Sequence, residues 1–121
     1  MTNAINWFEI PVSDMGRATK FYGTIFGTEM APMDTMGMTM AFFPADNGGV
    51  GGSLVKSDNH TPSTEGAVVY LNGGDDLSAV LTKVEAAGGK VAMPKTGIGE
   101  NGFIAFFTDT EGNKVGLHSM G

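Results

Sequence analysis

The chain has 121 residues, no cysteine, and a formal net charge of -6 from 13 acidic and 7 basic side chains. This length suits one domain, and 41% hydrophobic against 17% charged residues describes a folded globule. The acidic balance disfavours nucleic-acid binding, and the absence of cysteine excludes disulfides and thiolate metal sites. Neither a membrane-spanning run nor a signal-peptide pattern is present, so we expect a cytoplasmic protein without membrane or nucleic-acid partners.

A strand followed by a helix is predicted at the start of the chain. Residues 7–12 are β-rich and end at Ser13-Asp14, which is a natural helix N-cap. Apolar residues then recur at three- and four-residue spacing, and Gly27 marks the end of the helix. A strand pattern follows, in which apolar side chains alternate with small or polar ones: Met36, Met38, Met40 and Phe42.

The second half of the chain predicts the same order of elements. A strand over residues 67–72 precedes a helix cap at Asp75 or Asp76, and the apolar helix stripe ends at Gly88-Gly89. Two further strands, over 103–107 and 114–119, flank a turn in which we expect Gly112 to adopt a positive φ.

The two halves also align residue by residue. Residues 41–55 match residues 105–119 at an offset of 64, with identical residues at five of the fifteen positions. We therefore interpret the chain as one α+β domain of two βαβββ modules. The modules cover about residues 1–56 and 66–121, and a polar linker of about residues 57–65 joins them.

Three segments resemble the vicinal oxygen chelate superfamily, which contains glyoxalase I, bleomycin-resistance proteins and extradiol dioxygenases. They are FEIPVSD at 8–14, the helix with its Arg-Ala, Phe-Tyr and Phe-Gly pairs at 17–27, and DTEGNKVGL at 109–117. The resemblance covers nearly the whole chain. It implies that the two sheets curl into an open half-barrel cavity that is completed in a homodimer.

The resemblance also implies where a metal would be held. Metal-dependent relatives place one His or Glu on the first and last strand of each module. By motif, those positions here are Trp7, Gly52, Ala67 and Gly116. None of these side chains ligates a divalent metal, so we expect a degenerate site with no metal and no cofactor.

Strand periodicity extends the expected cavity, because side chains at i and i+2 share one face of a sheet. On this basis Glu9, Leu54, Val69 and His118 line the cavity together with Trp7. One carboxylate and one imidazole among apolar groups suit a small, partly apolar ligand. The leading hypothesis is a protein that binds such a molecule without a metal.

Alternatives stay open at this point. Glu9 and His118 could pair for acid–base catalysis on a small carbonyl-type substrate. A metal site with relocated ligands is a weaker hypothesis, and a structural module whose cavity is filled by the Met-rich strand is another. His60 lies in the polar linker, where we expect it to be solvated.

Overall fold

The computed structural model describes residues 3–46 and 48–121. Those residues form two successive repeats of strand, helix and three strands, with a short 3-10 turn at Gly99–Asn101. The first repeat contains β1 (Trp7–Pro11), α1 (Met15–Phe26), β2 (Met33–Thr35), β3 (Met38–Phe42) and β4 (Gly51–Lys56). The second contains β5 (Tyr70–Asn72), α2 (Ser78–Leu81), β6 (Lys90–Gly97), β7 (Phe103–Thr108) and β8 (Lys114–Ser119).

Each repeat forms a four-stranded mixed sheet in which the first strand lies beside the last. The strand orders are β1-β4-β3-β2 and β5-β8-β7-β6. The pairs β1–β4 and β5–β8 are parallel, and the other pairs are antiparallel. The predicted α+β architecture of two βαβββ modules is confirmed.

Helix α1 begins and ends where the sequence predicts. The Asp14 carboxylate accepts a hydrogen bond from the Arg17 amide at 3.0 Å, which satisfies a free N–H of the first turn. Gly27 adopts a left-handed conformation (φ 63°), and its N–H donates to the Gly23 carbonyl. The face with Phe21, Tyr22 and Ile25 is buried against the sheets.

Two predicted elements differ from the structure. Met36 and Gly37 both have positive φ (51° and 77°), so they form a tight turn between β2 and β3 instead of extending β3. Helix α2 has only four residues, and the apolar stripe beyond it continues through turns. The strands β2 and β6 carry no strong apolar alternation, and the sequence did not predict them.

The two modules share one hydrophobic core between the helices and one face of each sheet. Ile10 and Leu54 of the first sheet face this core, as do Leu71 and Leu117 of the second. The Phe21 ring of α1 lies 5.8 Å from the ring of Phe107 in β7, so the first helix packs directly on the second module. We call the opposite side of each sheet its open face.

The turn between β7 and β8 fastens the second module to the first. The buried Glu111 carboxylate accepts hydrogen bonds from the Ser13 and Asp14 amides (2.8 and 2.7 Å) and from Arg17 Nε (2.7 Å). Burial alone would raise the pKa of Glu111, but the Arg17 guanidinium and these amides outweigh it and lower the pKa to about 2. Glu111 therefore caps α1 as a carboxylate.

A second buried contact fastens the same turn to α1. The Tyr22 hydroxyl donates to Asp109 Oδ2 at 2.8 Å, and Asn113 Nδ2 donates to the same carboxylate at 3.0 Å. Burial, followed by the Asp109 charge, raises the pKa of Tyr22 well above its ordinary value. Asn113 Nδ2 also donates to the Pro11 carbonyl at 2.7 Å, which holds the end of β1.

Candidate binding site

Four residues expected at the metal site or in the cavity lie on the open faces. Trp7 and Glu9 are on the open face of the first sheet, opposite the core residue Ile10. Gly116 and His118 are on the open face of the second sheet, because they alternate with the core residue Leu117. The two-residue period therefore placed each of these pairs on the same face.

Gly52 and Leu54 lie on the other face of β4, so the prediction that Leu54 lines the cavity is wrong. Leu54 is 0% exposed and belongs to the core. Ala41 pairs with Leu54, whereas its repeat counterpart Ala105 pairs with Leu117. The β3–β4 connection is thus one residue longer than the β7–β8 turn, and a one-residue shift exchanges the faces of a strand.

Val69 precedes β5 and packs against the core, and its carbonyl accepts a hydrogen bond from the Gly116 amide at 2.9 Å. It also lines a cleft of about 180 Å³ together with Glu9, Ala67 and Lys114. This cleft is bounded by β1, the linker, the segment before β5 and the start of β8. Val69 and Glu9 therefore line one cleft, and neither Trp7 nor His118 is among the residues that line it.

The strand register replaces two of the four expected metal positions. Ser53 pairs with both Glu9 and Phe42 and so takes the open-face position assigned to Gly52. Val68 lies two residues before Tyr70 and so takes the open-face position that the sequence analysis assigned to Ala67. Trp7, Ser53, Val68 and Gly116 supply no imidazole or carboxylate, so they do not fit a divalent metal. Within residues 3–46 and 48–121, no three His, Asp or Glu side chains converge on a common point.

The partner of Glu9 is His60, and the expectation that His60 is solvated is wrong. His60 Nε2 lies 2.9 Å from Glu9 Oε1, and the two side chains are 22% and 36% exposed. Ser57 Oγ lies 2.6 Å from His60 Nδ1 and also accepts from the Asn59 amide at 3.1 Å. The two ring nitrogens of His60 thus contact the Ser57 hydroxyl on one side and the Glu9 carboxylate on the other. This chain of contacts holds the Glu9 carboxylate in place.

His118 lies in a different surrounding from Glu9. Its Nε2 donates to the Asn101 carbonyl, and no hydrogen bond joins it to Glu9 in the described part of the chain. Together with Tyr70, Ile98 and Ile104, it lines an apolar cleft of about 360 Å³. The contact between Glu9 and His118 that the catalytic alternative would use is not formed in this structure.

Aromatic rings stand on both open faces. Trp7 and Phe42 are 44% and 41% exposed, and their ring centroids lie 6.0 Å apart at 57°. On the second sheet, the Tyr70 and Phe106 rings lie 5.7 Å apart, and Lys114 Nζ sits 4.4 Å above the Phe106 ring. Neither Tyr70 nor Phe106 was identified from the sequence. For Phe106 there was a signal, because it lies between Ala105 and Phe107, two apolar residues that recur in both modules and face the core.

Comparison with known proteins agrees with this geometry. Residues 4–117 match the family described as the Glyoxalase/Bleomycin resistance protein/Dioxygenase superfamily. Over 116 residues the chain is 33% identical to the CFP32 protein of Mycobacterium bovis, covering 93% of this chain and 44% of that protein. It is 35% identical over 120 residues to a glyoxylase-like domain-containing protein of Didymella fabae, covering 90% and 88%. The chain thus spans less than half the length of its mycobacterial relative.

Solved structures share the arrangement of two open-faced βαβββ modules. A glyoxalase/bleomycin resistance protein from Albidiferax ferrireducens superposes with a TM-score of 0.71 at 18% identity, covering 95% of this chain and 98% of that one. TnmS3, an antibiotic binding protein from Streptomyces, gives 0.63 at 25% identity, covering 97% and 95%. The repeated βαβββ fold defines a vicinal oxygen chelate domain. The chain belongs to the Glyoxalase/Bleomycin resistance protein/Dioxygenase superfamily.

Proposed function

We propose that this chain binds a small, partly apolar molecule on the open faces of its sheets, without a metal. The observation that carries the proposal is the composition of the four open-face strand positions. Trp7, Ser53, Val68 and Gly116 offer no metal ligand set, while exposed aromatic rings stand beside them. Aromatic rings supply apolar area and stacking surface for such a ligand. The shared fold of the antibiotic binding protein TnmS3 supports binding as the activity.

The proposed form is a homodimer in which a second copy covers the open faces. Large apolar side chains are exposed on them, including Trp7, Phe42 and Tyr70. Exposed apolar patches commonly mark interaction surfaces, and a partner facing a concave sheet encloses a cavity. Sedimentation equilibrium measures the assembly directly. A monomer that still binds ligand would remove the dimer from this proposal and leave the binding activity in place.

The single tryptophan of the chain makes the binding test direct, since Trp7 is its only indole. Purified protein is titrated with a panel of small aromatic and carbonyl compounds, with and without EDTA, while tryptophan fluorescence and Tm are followed. We expect at least one compound to quench the fluorescence and raise Tm equally in both buffers. Stoichiometric Zn, Fe, Mn or Ni that is required for binding, or no response to any compound, contradicts the proposal.

Acid–base catalysis by Glu9 and His118 gains no support from a shared contact, because Glu9 is bonded to His60 and His118 to Asn101. If turnover is detected with a panel compound, Glu9→Gln and His118→Ala should each abolish it. Activity retained in both variants refutes that role.

A further inference from the structure

We propose that the open face of the first module selects an organic cation, namely an alkylammonium group carried by the ligand, through Trp7, Phe42 and Glu9. This inference rests on the proposed function, because it names the ligand chemistry that the same face would take.

The two rings form a corner that is accessible to solvent. Trp7 and Phe42 lie on adjacent parts of one face, with centroids 6.0 Å apart and planes inclined at 57°. The faces of aromatic rings carry a negative electrostatic potential, which attracts a cation placed within about 6 Å of the centroid. Trp gives the strongest attraction of the three aromatic side chains.

A carboxylate stands next to this corner. Glu9 follows Trp7 by two residues on β1, so it lies on the same face about 7 Å along the strand. His60 holds Glu9 Oε1 at 2.9 Å, and no hydrogen bond reaches Oε2 among the described residues. A positioned carboxylate with one free oxygen beside two ring faces is complementary to an ammonium group.

The second module shows what such rings attract within this chain. There, Lys114 Nζ lies 4.4 Å above the ring of Phe106, which is the repeat counterpart of Phe42. Strands β1 to β4 contain one basic residue, Lys56, and it alternates with Val55 and so lies on the core side of β4. The chain therefore places its own cation on the Phe106 ring of one module, and the described residues supply no Lys or Arg to Trp7 or Phe42 of the other. The net charge of -6 adds a field that favours cations.

Two isosteric probes separate charge from shape. They are 3-(trimethylammonio)phenol and the neutral 3-tert-butylphenol, with 3-hydroxybenzoate as the anionic probe. Isothermal titration calorimetry of the full chain at low salt should give an affinity for the cation about tenfold higher than for its neutral isostere, a ratio typical of a partly desolvated cation–π contact with a carboxylate. The anion should bind more weakly than either.

Variants identify the side chains that interact with the charged group of the ligand. Glu9→Gln and Trp7→Leu should each reduce the ratio of cation affinity to neutral-isostere affinity by about threefold or more. Glu29→Gln, which removes an exposed carboxylate in the loop after α1, is the matched control for charge and should preserve the preference. Far-UV circular dichroism verifies that each variant is folded.

Equal or tighter binding of the neutral isostere overturns the cation site but leaves the proposed binding function intact. A preference for the cation that persists in both Glu9→Gln and Trp7→Leu also overturns the cation site, because other residues would then bind the charged group. If the cation does not bind and the same two variants weaken self-association, the corner is a contact between copies of the chain and the inference is wrong. If no probe and no panel compound binds, the proposed function itself fails.

Discussion

The Glu111 carboxylate should make the stability of the fold depend on pH in a way that one substitution removes. Glu111 lies in the β7–β8 turn of the second module, yet its partners Ser13, Asp14 and Arg17 all belong to the first. In Glu111→Gln, the side-chain amide still accepts from the two backbone N–H groups, but it presents an uncharged group to the guanidinium. The variant therefore loses the ionic part of the contact.

The size of the effect follows from the pKa of Glu111, which is lowered from 4.5 to about 2. At about 1.4 kcal/mol per pKa unit this difference corresponds to about 3 kcal/mol, and the half-exposed position of Arg17 reduces it to about 2 kcal/mol. Because the folded pKa lies below the ordinary value, this stabilisation is fully present above about pH 4.5. It is lost as the pH falls toward about 2, where the folded state also binds the proton.

Urea unfolding at pH 7, 5, 4 and 3, followed by far-UV circular dichroism, measures the free energy of unfolding of each protein. We expect Glu111→Gln to be less stable at pH 7, with a difference from wild type that shrinks as the pH falls below 4.5. Asp76→Asn is the control: hydrogen bonds from Ser78 and then Lys95 lower the pKa of Asp76 to about 2, but its carboxylate is exposed and should contribute little. A pH dependence in Glu111→Gln parallel to that of wild type would refute the reasoning.

Three further substitutions test the register and the core. Gly52→Ala should lower the free energy of unfolding by about 1–3 kcal/mol, because the added Cβ would overlap the Phe8 ring. The neighbouring Gly51→Ala is the control: its Cβ would meet only contacts of 3.4 Å or more, so the free energy of unfolding should change little. Tyr22→Phe should cost about 1.5–3 kcal/mol in urea unfolding at pH 7, since it removes a buried hydrogen bond to the Asp109 carboxylate. Leu54→Ala should cost about 2–5 kcal/mol, and unchanged ligand affinity in the folded variant would verify that Leu54 is a core residue.

The sequence predicted the repeat, the caps of α1 and two of the face assignments because each depends on local chemistry. Helix α2, by contrast, has Leu77 and Thr82 as its caps instead of the predicted Asp75 or Asp76 and Gly88-Gly89. Asp14 and Gly27 mark the ends of α1 through their own backbone and side-chain preferences. The faces of Gly52 and Leu54 depend instead on the number of residues in the β3–β4 connection. That number is set by how the two strands pair, and the amino-acid composition of the connection does not reveal it. A constant offset between the repeats concealed that extra residue.

The site was harder to predict than the fold for a related reason. His60 is separated from Glu9 by most of the first module, and its polar neighbours are typical of a solvated linker. The contact forms because the chain turns back after β4, where Ser57 and His60 form an isolated bridge. No periodic pattern in the sequence records such a return of the chain, so a partner of Glu9 could be found only in three dimensions.

The contacts of Glu111 and Tyr22 that fasten α1 to the β7–β8 turn involve none of the rings on the open faces. The contacts that fasten the modules and the rings proposed to bind a ligand are thus separate residues. A library that randomises Trp7, Phe42, Tyr70 and Phe106 should therefore yield mostly folded proteins, because the contacts of Glu111 and Tyr22 persist in each of them. The proposed binding faces are on these grounds open to re-engineering without rebuilding the core.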